Sequence, residues 1–335
     1  MAGCAAVKEP AQEARAAPEA GLATKAIAVT ESGITFSSWS PGSHASIVAG
    51  RESAPETMVQ GDLFLPNAAT ADKRVPGIVL LHGSSGFSNG YGRRIARGLA
   101  EDGVAALVVY TYRSRGVIRR PKVQELAQKV PPYSQLADAF AALDFLSALP
   151  GIDSRRIALA GFSTGGKMAV IAAIERIAAA FEPGGRRFAG HISYWGVCDA
   201  LFEDLPATGA PVLILIGEKD TVTPVGRCRE LTQNLRESGA PAEMIVYAEA
   251  YHAWNGVDFA PRYFIDRYNP AECRWIMSGD GTIRETTTGT KGAWDDPALA
   301  AALKCLRRGY TIGRNEAATA QSRHDVVSFL SSLPR

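Results

Sequence analysis

The chain has 335 residues, 46% hydrophobic and 21% charged, with 36 Lys and Arg against 34 Asp and Glu for a net charge of +2. Such values belong to a globular protein able to bury a sizeable core rather than to a disordered or membrane one, and the balanced charge argues against nucleic acid as a partner. No stretch approaches the roughly 18 consecutive apolar residues of a membrane-spanning helix.

At the start, Met1-Ala2-Gly3-Cys4 has the form of the end of a bacterial lipoprotein signal, a small-residue pair before a cysteine that is lipidated after cleavage. Residues 5–22, rich in Ala, Glu and Pro, read as a flexible tether. Export is therefore expected, to the periplasm or to a lipid anchor at Cys4, the alternative being a cytoplasmic protein with a disordered N-terminus. Residues 1–25 are assigned to this tail and residues 26–335 to one α/β domain with an extended C-terminal segment.

Alternating runs at residues 34–39 and 58–65 predict antiparallel edge strands opening a mixed sheet. Residues 75–81, V-P-G-I-V-L-L, predict a strand buried on both faces, which ends in His82-Gly83-Ser84-Ser85-Gly86. A helix over residues 90–102 places Ile95 and Leu99 on one side and Arg93, Arg94 and Arg97 on another. Residues 105–111 form the next buried strand, followed by Tyr112-Arg113-Ser114-Arg115-Gly116 and a basic loop over 117–130. A second helix, 134–149, carries Leu136, Ala139, Phe140, Leu143 and Leu146 at helical spacing and stops at Pro150-Gly151. A strand at 157–160 meets Gly161-Phe162-Ser163-Thr164-Gly165-Gly166, and a helical apolar stretch over 167–180 follows. Strands at 192–197, 212–216 and 243–247, a helix over 225–237 and a final helix over 324–333 complete the chain. Strands alternating with helices at this spacing imply right-handed crossovers, hence a mostly parallel central sheet with helices on both faces.

Strand, sharp turn and helix around Ser163 form a nucleophile elbow. The turn strains the serine backbone and leaves its hydroxyl clear at the sheet edge, and side chains in place of Gly161 and Gly165 would collide as strand and helix close up. A serine needs a base, and the base an orienting carboxylate. Of the five histidines, His44 and His324 follow no core strand, His191 begins a strand and His82 ends an early one, whereas His252 lies in A-Y-H-A-W just beyond the last core strand. His252 is the expected base. The strand at 212–216 leads into G-E-K-D-T-V-T-P, which makes Asp220 the expected acid, with Glu218 as the neighbouring alternative. The oxyanion donors expected are the N–H groups of Thr164, which opens the helix, and Ser84, on the loop after the first long buried strand, while His82 supports that loop by hydrogen bonding. Arg115, after a core strand, is a candidate for a substrate carboxylate or else an organiser of its loop. Tyr112, Tyr251 and Trp254 are candidates for an aromatic wall or for packing. Residues 117–130 and 268–294 are the expected contributors to pocket shape.

The set L-H-G-S-S-G, Y-R-S-R-G-V, G-F-S-T-G-G, G-E-K-D-T-V-T-P and A-Y-H-A-W, spanning residues 61–254, resembles the dienelactone hydrolase family of α/β hydrolases. The resemblance implies an α/β-hydrolase fold with nucleophile Ser163, acid Asp220, base His252 and oxyanion donors Ser84 and Thr164, acting on an ester or lactone. Founding members carry a cysteine nucleophile and a glutamate in the oxyanion loop, where this chain has Ser163 and Gly83, so a serine carboxylesterase is expected rather than an enzyme for dienelactone itself. A peptidase or amidase, a polyester hydrolase and a non-catalytic binding protein of the same fold are the rival readings.

The five cysteines show no CxxC spacing and no histidine cluster, so a zinc site is not expected, and the expected ester or lactone hydrolysis calls for neither a metal nor an organic cofactor. Cys198, after an apolar strand, reads as a buried small hydrophobe. Cys273 and Cys305 flank a segment with little core of its own and are either bridged or free. The C-terminal part, including R-R-G-Y-T-I-G-R-N-E-A-A, resembles that of exported family members with a cysteine pair, which favours the bridge.

Overall fold

The computed structural model describes residues 27–334 apart from 43, 88–89, 119–125, 127–128, 131–132, 257–259 and 293–303. The N-terminal tail with Cys4 and most of the basic loop at 117–130 therefore lie outside the described residues.

The central strands follow the apolar runs. In chain order they are β1 (Val29–Trp39), β2 (Glu56–Pro66), β3 (Val75–Leu81), β4 (Ala105–Val109), β5 (Ile152–Phe162) and β6 (Gly190–Tyr194). A short strand, β7 (Ala200–Glu203), leaves the sheet before β8 (Val212–Gly217) and β9 (Ala242–Tyr247). The sheet order is β1-β2-β4-β3-β5-β6-β8-β9. The pairs β1 with β2 and β2 with β4 are antiparallel and the others parallel. Pro76 has no N–H for the ladder, and it sits where the register of β3 on β5 shifts, between Val75 and Gly77.

Helices cover both faces, as the crossovers require. On one side α1 (Tyr91–Glu101) packs through Ala96, Leu99 and Ala100. On the other lie α2 (Ser134–Ser147), α3 (Thr164–Ile171), α4 (Glu175–Phe181) and α5 (Val225–Glu237), whose apolar residues join the larger core. The expected single helix over 167–180 is interrupted because Ile174 is extended and bridges Ala207. The last helix, α6 (Glu316–Ser332), belongs to the first face and begins two turns earlier than its apolar pattern suggests. Its start is set instead by Asn315, whose side chain accepts the N–H of Ala318.

Beyond β9 the chain builds structure that its pattern did not reveal: β10 (Tyr263–Asn269), β11 (Trp275–Ser278), β12 (Ile283–Glu285), β13 (Lys291–Gly292) and β14 (Arg307–Ile312). β10 and β14 form an antiparallel pair, and β11 to β13 form a small sheet with β7. Cys273 and Cys305 are disulfide-bonded. So are Cys198 and Cys228, which corrects the reading of Cys198 as a free buried thiol. The two lie on different elements and meet only because α5 packs beside the loop after β6. Among the described residues no helix is long and apolar enough to cross a membrane, and no group of three or more His, Cys, Asp or Glu is placed to hold a metal ion.

Candidate active site

β5 runs into α3 through Ser163, whose backbone stands at φ 53° and ψ −114°. A side chain on Gly161 would place Cβ 2.0 Å from the Gly165 carbonyl oxygen, and one on Gly165 would lie 2.6 Å from that of His82. The glycines are thus the condition for the tight turn. The Ser163 N–H donates to Tyr194 O and its carbonyl accepts from Lys167 and Val197, so strand, helix and neighbouring loop hold the strained residue. Trp195 (φ 38°) and Ala253 (φ 62°) share its positive φ and line the same cavity, so backbone strain gathers at this site.

His252 follows β9 and brings its Nε2 to 3.1 Å from Ser163 Oγ. Its Nδ1 lies 2.7 Å from Asp220 Oδ2. The other Asp220 oxygen accepts the N–H groups of Val222 and Thr223 at 2.8 and 2.9 Å, which turns Oδ2 toward the imidazole. With Asp220 accepting, Nδ1 carries the proton and Nε2 is left to accept from the serine hydroxyl. Glu218, the alternative acid, instead accepts the Glu249 N–H at 3.0 Å and stands away from the imidazole hydrogen bond.

Gly83 lies against the elbow so closely that a Cβ there would be 3.1 Å from Phe162 O and 3.2 Å from Ser163 Cβ. Ser84 and Ser85 follow along the cavity wall. His82 supports this loop: its buried Nδ1 donates to Gly83 O at 2.8 Å, and its Nε2 accepts the Tyr112 N–H at 3.4 Å. Burial pushes its pKa down to about 4, so it stays neutral with both nitrogens engaged. Thr164 opens α3 and has no carbonyl one turn earlier to accept its N–H.

Above Ser163 and His252 is a cavity of about 430 Å³. Tyr91, Trp195, Tyr263, Ile265, Tyr310 and Ile312 supply its aromatic and aliphatic walls, and Arg267 and Asn255 its polar ones. The Trp195 indole stands edge-on to the His252 ring at 4.8 Å and donates to Asn255 Oδ1 at 3.1 Å.

A nucleophile elbow at the end of a parallel strand, with acid and base on the loops after later strands, is the arrangement of an α/β hydrolase. The family model described as the dienelactone hydrolase family matches residues 60–273, more than half of the chain. The chain belongs to the dienelactone hydrolase family. A Yersinia pestis protein named "Putative carboxymethylenebutenolidase" is 33% identical over 50% of this chain and 64% of its own length. A protein of the same name from Methylorubrum extorquens is 29% identical over 54% of this chain and 62% of its own. The chain thus spans less than two thirds of the length of these curated relatives. Among solved structures, a dienelactone hydrolase-like promiscuous phosphotriesterase from metagenomic libraries superposes with a TM-score of 0.53 at 17% identity, covering 90% of this chain and 98% of that one. At that identity the likeness shows a shared α/β-hydrolase fold.

Four side chains that were candidates for substrate contact, with packing or loop organisation as the alternative, lie elsewhere in this member of the dienelactone hydrolase family. The Arg115 side chain is buried and its five N–H donors all have partners: Ser40 Oγ, Thr111 O, Trp39 O and both oxygens of Asp138, the last at 2.8 and 3.0 Å. It organises its loop. Tyr112 packs on the His82 ring at 4.1 Å. Tyr251 lies under the Arg262 guanidinium, and Trp254 is fully buried with its N–H toward Ser322 Oγ. None of the four lines the cavity. Among the described residues of 268–294 none lines it either; the strand residues that do, Tyr263, Ile265 and Arg267 of β10 and Tyr310 and Ile312 of β14, fall on either side of that range. The alternation in Y-F-I-D-R-Y-N and the R-R-G-Y-T-I run were the signals available for those strands.

Proposed function

We propose that this protein is a serine carboxylesterase, hydrolysing carboxylic esters or lactones through an acyl-enzyme. The observation that carries the reading is the continuous relay from Ser163 Oγ to His252 and on to Asp220, at 3.1 and 2.7 Å. In this mechanism His252 Nε2 takes the hydroxyl proton as Ser163 attacks the carbonyl carbon. The Ser84 and Thr164 N–H groups receive the oxyanion. The imidazolium, held by Asp220, then protonates the leaving alkoxide, and water repeats the sequence on the acyl-enzyme. The relatives' names and the family support ester or lactone chemistry. The mainly apolar cavity suits a neutral acyl or alcohol group of small to medium size.

Intact-protein mass spectrometry after treatment with a fluorophosphonate tests this. One adduct is expected on the wild type and none on Ser163→Ala, with turnover of a short p-nitrophenyl ester falling by about 10⁴-fold or more in the variant. Ester turnover retained by Ser163→Ala refutes the assignment.

We also infer an oxidising compartment, periplasmic or lipid-anchored. The two disulfides, Cys198–Cys228 and Cys273–Cys305, support it, since such bonds persist where thiols are not kept reduced.

A further inference from the structure

The pair β10 and β14, with the residues just after it, touches three loops of the site: those of Ser85, His252 and Asp220. Toward the oxyanion loop, Arg267 Nη1 donates to Ser85 Oγ at 3.3 Å. Toward the base, Ile312 forms a bridge to His252, the Gly313 N–H donates to His252 O at 3.2 Å, and the Tyr310 ring stands edge-on to the imidazole at 5.8 Å. Asn315 continues this contact, donating to Trp254 O at 2.9 Å. Toward the acid, buried Asn269 donates from Nδ2 to Thr221 O at 3.1 Å, one residue beyond Asp220. The same amide group donates to Gly309 O at 3.1 Å, and its Oδ1 accepts the Ala271 N–H at 3.0 Å. Asn269 therefore joins β10, β14 and the acid loop at one point. Just past it, the Cys273–Cys305 disulfide closes the far end of the pair.

We propose that β10 and β14 form a clamp that fixes the acid and base loops relative to Ser163, with Asn269 as the positioning residue for the acid loop and the Cys273–Cys305 bridge as the staple. Three loops that follow separate strands of the central sheet have no covalent reason to keep a common register at their tips. One rigid ribbon, hydrogen-bonded to all three, supplies it. An amide is suited to the junction because it donates to two carbonyls at once while accepting an N–H. The inference rests on the serine esterase reading and adds that alignment of the relay, and not only the shape of the pocket, depends on this ribbon.

The test uses the full chain and two readouts: labelling rate with diisopropyl fluorophosphate, a probe too small to need the distant wall, and kcat and KM on p-nitrophenyl acetate. For Asn269→Ala and for the double variant Cys273→Ser/Cys305→Ser, labelling rate and kcat are expected to fall together by about tenfold to hundredfold, the scale of a small misplacement of reacting groups. KM should stay within about twofold. A raised KM with unchanged labelling would mean that the pair is only a wall and overturns the clamp. If Asn269→Ala does not fold, Asn269→Asp replaces it: the size is kept, but a carboxylate faces two carbonyl oxygens, and the same joint fall is expected. Wild type labelled at Ser163 with variants unchanged removes the clamp alone. An unlabelled wild type removes the esterase reading and the clamp with it.

Discussion

Arg115 shows how far a single residue can be read from its neighbours in the chain. Its place after a core strand suits a substrate-binding cation, yet its fork meets Asp138 in bidentate fashion with both side chains almost wholly shielded from water. Removing the guanidinium would leave a buried carboxylate whose remaining side-chain donor, among the described residues, is Ser38 Oγ at 2.7 Å. Arg115→Ala is therefore expected to lose about 3–5 kcal/mol of stability in urea melts. Enzyme that remains folded should keep its KM for a short ester within about twofold, because Arg115 does not line the cavity. Arg115→Lys should recover little of the lost stability, since an ammonium cannot present the planar fork. A large rise in KM with stability unchanged would instead return Arg115 to the substrate.

At the scale of elements, the Cys198–Cys228 bridge ties the loop after β6 to α5. That loop includes Val197, whose N–H donates to Ser163 O, while α5 follows the acid loop through Pro224. The bridge encloses a sequence separation of 30 residues. In the chain-entropy picture such a loop constrains the unfolded state by about 3.5 kcal/mol. The double variant Cys198→Ser/Cys228→Ser should lose stability of about that size in urea melts, with a slope no smaller than the parent's because the uncross-linked chain exposes more surface when unfolded. A variant as stable as the parent would show that packing of α5 already does the work of the bond.

The whole molecule carries a pH dependence through two buried histidines. Burial lowers His82 and His191 to about 4 from an ordinary value of 6.5. His191 lies under α3 with its Nδ1 donating to Ala169 O at 2.8 Å. Because the folded value is depressed, the unfolded chain takes up protons below about 6.5 while the folded chain does so only near 4, so the unfolded state binds more protons in between. Stability is fully present above that window and falls as pH drops through it. Each histidine contributes about 3 kcal/mol to the fall. Urea melts at pH 7, 5.5 and 4 should show the decline, and a flat profile would mean that these imidazoles are protonated at no cost in the fold.

The sequence alone determined the central sheet and the relay. Runs such as 75–81 and 212–216 are long, apolar and bounded by turns, so they have no stable place except strands buried on both faces. Ser163, Asp220 and His252 each follow such a strand, and the order of the strands already directs all three to one edge. The cavity wall, the Cys198–Cys228 bridge and the partner of Arg115 were decided by tertiary structure. β10 and β14 are separated by some forty residues of chain, and half-exposed strands with a register shift between Ile265 and Tyr268 leave little periodicity to read. A long-range pairing depends on which surfaces the core leaves adjacent. For that reason Tyr263, Ile265, Arg267, Tyr310 and Ile312 reach the cavity above Ser163 and His252 only once the chain has folded around it.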